Sequence, residues 1–248
     1  MAEPMINRLD LKTQAKQAIL DYIASMDLHA SNKMPREEKL CEIIGVSRVT
    51  LRSALDELAS DGVVFRRQGK GTFVNRTRME MKVSFNPAGH FSDMIRDSGY
   101  TPRIEMLAVD IIPADAKLAT SLGIVAGDEI VRDKKLFYAD DAPCVYCEDF
   151  FARSLIGDTD PREMLTQPIS VFHYLYARTR RRVCWDKVEL DAADSRGKEE
   201  LGVFPDQPLL LLTGTNFDEQ DMPLVVTCEY VDTRRLSFCQ IRRRTILY

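Results

Sequence analysis

The stretch Gly45-Val46-Ser47-Arg48-Val49-Thr50-Leu51-Arg52-Ser53-Ala54-Leu55, with Arg67-Gln68-Gly69-Lys70-Gly71-Thr72-Phe73-Val74 after it, decides how the N-terminal part of this chain folds. Ser47 is a good N-cap, because its hydroxyl can accept from an orphan backbone N–H of the first helical turn. Leu51, Ala54, Leu55 and Leu58 then recur at i, i+3, i+4 and i+7, the apolar face of a helix running to about residue 60. Ahead of Ser47, a short helix opens at Pro35 and carries Glu37 and Glu38 in its first turn, where carboxylates favour the positive end. It buries Leu40, Ile43 and Ile44 and stops at Gly45, which tolerates the left-handed conformation. Farther out, residues 11–27 show a helical stripe of Ala15, Ile19, Tyr22, Ile23 and Met26, and residues 29–33 form a polar linker.

Two helices joined by Gly45-Val46-Ser47 make a helix-turn-helix, whose second helix presents its N-terminal end to the DNA major groove. The outward residues there are Ser47, Arg48, Thr50 and Arg52. Arg48 can reach guanine O6 and N7 with two donors, and Ser47 and Thr50 suit phosphates or base edges. Arg48 and Arg52 would repel one another unless an anion lay between them, and Arg52 could instead pair with Asp56. Two short β runs, 63–67 and 72–74, flank Gln68-Gly69-Lys70-Gly71 and read as the wing of a winged helix. Glycines let that tip approach DNA closely, with Lys70 at the minor groove or on phosphate. A P-loop is excluded, because the glycine spacing is wrong and no helix follows.

The 248 residues suggest two domains, and 45% hydrophobic with 29% charged residues is the balance of a soluble protein with a real core. The net charge of −4 is uneven. Residues 1–82 hold fourteen Lys and Arg against eleven Asp and Glu, a balance of +3, which leaves −7 for the rest. A basic N-terminal module on an acidic body fits a nucleic-acid contact. No apolar run is long enough for a membrane span, and residues 1–11 have no signal-peptide pattern, so the expected location is the cytoplasm. Cys144 and Cys147 have half a zinc spacing, but three residues apart on a strand they face opposite ways. With His29, His90 and His173 as the only histidines, the six cysteines read as structural, and no metal or cofactor is expected.

The segment 11–74, through Met34-Pro35-Arg36-Glu37-Glu38-Lys39-Leu40, the helix-turn-helix and the wing, resembles the DNA-binding domain of the GntR family of bacterial repressors. That resemblance implies DNA contacts by Ser47, Arg48, Thr50, Arg52, Gln68, Gly69, Lys70 and Gly71, with Arg36 as the candidate replacement for the family's arginine of the second helix. The family's DNA-contacting arginine in the second helix aligns with Glu38, and Arg36 stands two positions earlier.

Beyond residue 89 the chain repeats. The run from Ala114-Asp115-Ala116-Lys117 to Leu122-Gly123-Ile124 recurs as Ala193-Asp194-Ser195-Arg196 to Leu201-Gly202-Val203, at an offset of 79. Strands 129–139 and 208–217 follow, then turns at 139–142 and 218–221, then Pro143-Cys144-Val145-Tyr146 and Pro223-Leu224-Val225-Val226. Two such units predict one largely antiparallel sheet covered by helices on one side. The order resembles the UTRA effector domain of the HutC-type subfamily, which shares the chorismate-lyase fold. The expected architecture is α+β: a winged helix-turn-helix at 8–76, a linker at 77–88, and a UTRA domain for effector binding and dimerisation at 89–248.

The resemblance also implies a ligand loop at His90, Phe91 and Ser92, a pocket serine at Ser170, and pocket positions at Lys135 and Phe137 on one strand face. Free N–H groups at the Phe91 helix start and the Lys135 ammonium point to a small anionic effector, with Phe137 against its apolar part. The pocket carboxylates of the subfamily fall near Cys147 and Glu148 and near Val225. The function read from all this is a transcription repressor that binds a palindromic operator as a homodimer and responds to a metabolite. An enzyme of the chorismate-lyase-like fold is the alternative, but no nucleophile–base–orienter set or acid/base carboxylate pair can be assigned.

Overall fold

The computed structural model describes residues 11–79, 83–84, 90–166, 170–196, 201–204 and 206–239. The chain divides into two compact units, residues 1–88 together with 239–248, and residues 89–238.

In the first unit, α1 (Leu11–Ala24), α2 (Glu37–Ile44) and α3 (Arg48–Ser60) precede a two-stranded antiparallel hairpin, β1 (Val64–Arg67) and β2 (Gly71–Val74). The core joins Ile19 and Ile23 of α1, Leu40 of α2, and Leu51, Leu55 and Leu58 of α3 to Val64 and Val74 of the hairpin. Four expectations need correction. First, α1 ends at Ala24 rather than residue 27. Second, α2 begins at Glu37 with Arg36 as its N-cap residue, so Pro35 lies outside the helix it was expected to open. Third, only Leu40 of α2 is fully buried, and Ile43 is 45% exposed, because eight residues bring only one row against α3. Fourth, the supposed linker 29–33 ends in order: Asn32 and Met34 exchange backbone bonds with β2, and Lys33 bridges Phe73. Gly45 does take the left-handed conformation, at φ 78°, and ends α2.

Of the expected linker 77–88, residues 77–79 complete α4 (Arg76–Met79), Val83–Ser84 form the two-residue strand β3, and the others lie outside the described residues. The second unit contains α5 (Phe91–Asp97), β4 (Pro102–Pro113), α6 (Ala116–Leu122), β5 (Glu129–Ala139) and β6 (Ala142–Ala152). Two 3-10 turns (Arg153–Ile156 and Pro161–Leu165) lead to α7 (Val171–Thr179), β7 (Trp185–Asp194), β8 (Pro208–Phe217) and β9 (Pro223–Val231), and the short β10 (Phe238–Cys239) stands at the boundary where the chain returns to the first unit. Strands β4 to β9 form one antiparallel sheet in the order β4-β5-β6-β9-β8-β7.

The repeat and the sheet agree in detail. At the central joint Glu148 pairs with Cys228 and Asp149 with Thr227. An offset of 79 carries residue 148 to 227 and residue 149 to 228, so the two copies meet about an approximate twofold axis. Helices cover both faces, not one. Val131 and Phe151 face α7, whereas their neighbours Ile130 and Phe150 face α6. Near-continuous burial of β5 and β6 follows, since a strand covered on both sides has no solvent face. In the second copy, residues 197–200 of the expected helix lie outside the described residues; Leu201 is buried as Leu122 is.

Gly214 on β8 lies opposite Thr227 of β9, and a Cβ there would stand 2.6 Å from Thr227 Oγ1. Gly214→Ala is expected to lower stability by about 1–3 kcal/mol through overpacking. Adding Thr227→Ala should recover part of that loss in urea denaturation. A single variant as stable as the parent would contradict this packing.

Candidate functional site

The first candidate surface belongs to the winged unit. Ser47 caps α3 by accepting from the Thr50 N–H at 3.2 Å, and its hydroxyl lies 2.8 Å from Thr50 Oγ1. Both hydroxyls are therefore engaged with each other at the exposed start of α3. Arg48 Nη2 lies 2.7 Å from Glu38 Oε1, and Arg52 Nε lies 2.7 Å from Glu37 Oε2. The Arg52–Asp56 pair considered from the sequence is not formed, because Asp56 takes Arg66 at 2.5 Å. Arg48 and Arg52 thus each take a carboxylate of their own from the preceding helix.

At the wing tip Lys70 N–H donates to Arg67 carbonyl oxygen at 3.0 Å, with Gly69 at φ 70° and Gly71 at φ 107°. Gly71 is also the first residue of β2. Phe65 and Phe73 pair across the hairpin with ring centroids 5.8 Å apart, and the Arg67 guanidinium lies 5.2 and 4.8 Å from them. This stack stiffens the wing, and the Phe-x-Arg…Phe pattern was its unread signal. One groove brings Arg36, Arg48, Arg52 and Gln68–Gly71 together, with Glu37 and Glu38 between them.

The second candidate surface is the α7-covered face of the sheet. Alternation along β5 places Asp133, Lys135 and Phe137 on that face with Val131, and register places Asp149, Cys147 and Glu229 beside them. Phe137 meets Phe91 at 5.5 Å and the edge of His90 at 5.8 Å. His90, Phe91, Lys135 and Phe137 thus share the face. Ser170 caps α7, which packs on the same face, and its hydroxyl makes no capping bond.

Two expectations fail here. Lys135 is not free to hold an anion. Its Nζ lies 2.5 Å from Asp149 Oδ2 and 3.0 Å from Asp133 Oδ2, and all three residues are at least 94% buried. Three N–H groups at the start of α5, those of Ser92, Asp93 and Met94, are not free either. Ser92 N donates to His90 Nδ1, and the Asp93 and Met94 N–H groups donate to the His90 carbonyl oxygen. Near the positions where the resemblance implies pocket carboxylates, the acids beside this cluster are Asp149, one residue past Glu148, and Glu229, four past Val225, on the same strands. Charged residues at alternate positions of an apolar strand, Asp133 and Lys135, were the legible sign of this cluster.

Burial pushes His90 below its ordinary imidazole value, while Asp93 opposes and Lys135 reinforces the shift. Burial and the charge of Asp149 push Asp133 upward, and the same two causes push Glu229 up to about 8. Cys144 and Cys147 hold their protons, since burial raises both thiols; Cys144 donates to the Phe137 carbonyl oxygen and Cys147 to Asp149 Oδ1.

A carboxyl raised in the folded state binds a proton that the unfolded chain releases, so its contribution to stability falls as pH rises from the ordinary carboxylate range to about 8. Glu229→Gln should therefore gain on the parent steadily between pH 5 and 8 in denaturation midpoints. A constant difference across that interval would show that Glu229 does not titrate there.

Comparison with known proteins agrees with both units. Residues 11–74 match the family of bacterial regulatory proteins called gntR, and residues 97–237 match the UTRA domain. The chain is 34% identical over 230 residues to an uncharacterized HTH-type transcriptional regulator, YurK, of Bacillus subtilis, covering 92% of this chain and 93% of that one. It is 28% identical over 229 residues to a probable fructoselysine utilization operon transcriptional repressor of Escherichia coli, covering 92% of each. Among solved structures, the possible transcriptional regulator YydK of Bacillus subtilis shares the fold, with a TM-score of 0.73 at 19% identity over 95% of this chain and all of that one. Among the described residues, no helix is long and apolar enough to cross a membrane.

Proposed function

The chain belongs to the GntR family of bacterial regulatory proteins, with a UTRA domain, and is a DNA-binding transcription regulator; on that premise we propose that it represses, as a dimer on a palindromic operator, until a small metabolite binds its second unit. The observation that carries the reading is the groove of the winged unit. It sets the start of α3 beside the wing tip, with Arg36 and Lys70 paired to no carboxylate among the described residues. In this reading Arg48 reads a guanine, Arg36 and Lys70 hold phosphates, and Gly69 and Gly71 let the tip come close. The family relatives are regulators, and the enzyme alternative has no support from them. Repression is proposed because a relative aligned over 92% of this chain bears that description.

Dimerisation is supported by the edge strand β7. Its first eight residues are exposed, among them Trp185, Val188 and Leu190, which are unusual on a free sheet edge. Antiparallel pairing of two copies about Val188 would set Lys187 of each against Glu189 of the other.

The effector is placed on the α7-covered face, bounded by His90, Phe91, Phe137 and Ser170. Because Lys135 is held by two carboxylates and Glu229 adds a third acid, we assign that site a neutral or amino-bearing ligand, with Phe91 and Phe137 against its apolar portion. The ligand must bind the non-operator geometry more tightly, or it could not release DNA.

Arg48→Ala is expected to weaken operator binding by about 1–3 kcal/mol and to leave binding to unrelated duplex nearly unchanged. Lys70→Ala should weaken both equally and flatten the salt slope by about one unit per contact. Fluorescence anisotropy against labelled duplexes, with two chains per operator, reads both. Equal operator affinity for Arg48→Ala and parent would sink the assignment.

A thermal-shift screen of neutral, amino-bearing and anionic metabolites, followed by operator release, tests the effector site. Ser170→Ala should fold as the parent does and weaken a true hit by about 1 kcal/mol. Hits confined to anions, or equal binding by both proteins, would place the site elsewhere.

A further inference from the structure

Glu38 stands in the DNA-facing groove where a basic residue would serve phosphate binding better. Its carboxylate holds the Arg48 guanidinium at 2.7 Å, across the turn between α2 and α3. The pair is open to solvent, with side chains 62% and 69% exposed. An ion pair so exposed changes a folding equilibrium by no more than about fivefold, so it contributes little to holding the two helices together. What it changes is the surface offered to DNA. Arg48, Arg52 and Arg66 each face a carboxylate, while Arg36 and Lys70 remain free among the described residues.

A generic duplex offers Arg48 only phosphates, and drawing it to one leaves the Glu38 carboxylate bare beside a like charge. A chosen site offers more. Guanine O6 and N7 accept the Arg48 fork, and the N4 amino group of a cytosine donates to a carboxylate. Only there do both partners of the pair exchange one another for equally good partners on DNA.

We propose that Glu38 is a specificity-determining residue, which withholds Arg48 from unrelated DNA and itself reads a cytosine beside the guanine that Arg48 takes. The inference rests on the recognition contact proposed for Arg48. Glu38 thereby reverses what an arginine at its position would do. It trades affinity for all DNA against selectivity for one step.

The test uses the full chain and Glu38→Gln, which keeps the shape and removes the charge. Each protein selects duplexes from a random pool, and anisotropy then compares the enriched duplex with a shuffled one. The parent should enrich a half-site containing a guanine and an adjacent cytosine. Glu38→Gln should bind shuffled duplex two- to fivefold more tightly, gain nothing on the enriched one, and lose preference at one base pair per half-site. Unfolding curves that superimpose would show that the change lies in recognition. The same enriched sequence with a specificity ratio within twofold of the parent would overturn the role of Glu38 alone. Failure of both proteins to enrich any sequence would overturn the recognition contact as well.

Discussion

A strand covered on both faces can satisfy its backbone only through neighbours in its own sheet, and β6 and β9 are in that position. Their antiparallel pairing, from Val145 with Val231 to Phe150 with Val226, is the joint on which the second unit depends. It turns two similar halves, each too narrow to bury two faces, into one six-stranded sheet. The near-twofold relation of the halves follows, and so do two distinct coverings. α6, with Leu122 and Ala119, packs on one face, while α7 and the 3-10 turns pack on the other.

That second face is not uniformly apolar. Beyond Val131, Phe151 and Val225 it carries the buried Asp133, Lys135 and Asp149, with the half-buried Glu229 beside them. Ions are costly to bury, and this group survives because one ammonium lies between two carboxylates while the remaining acid is pushed toward its neutral form. A core built for stability alone would be apolar here. The cluster borders the aromatic contact of Phe137 with Phe91 and His90, so polar and apolar groups lie on one stretch of sheet.

The winged unit shows a different electrostatic economy. Its helices and hairpin are locked by an ordinary apolar core, which leaves the groove side free to vary. There the acids of α2 temper the arginines of α3, and the aromatic stack under Arg67 fixes the direction of the wing. Net positive charge is modest, so selectivity must come from the placing of a few groups rather than from a basic coat.

Much of this was legible in the chain itself. Ser47, Gly45 and the Leu51/Ala54/Leu55/Leu58 spacing marked the helix-turn-helix, Gly69 and Gly71 marked the wing tip, and the 79-residue offset marked the paired halves. The caps, turns and helical face are set within a few residues, and the repeat was legible because each copy carries its own local pattern. The groups that meet across those elements were not legible. Glu38 lies 10 residues before Arg48, Asp149 lies 14 after Lys135, and Glu229 reaches the same cluster from a different copy of the repeat. Alternation placed Lys135 and Phe137 on one strand face and no more. Which cation would take which carboxylate was decided only by strand register and helix packing, since an ion pair depends on separation in space and not along the chain.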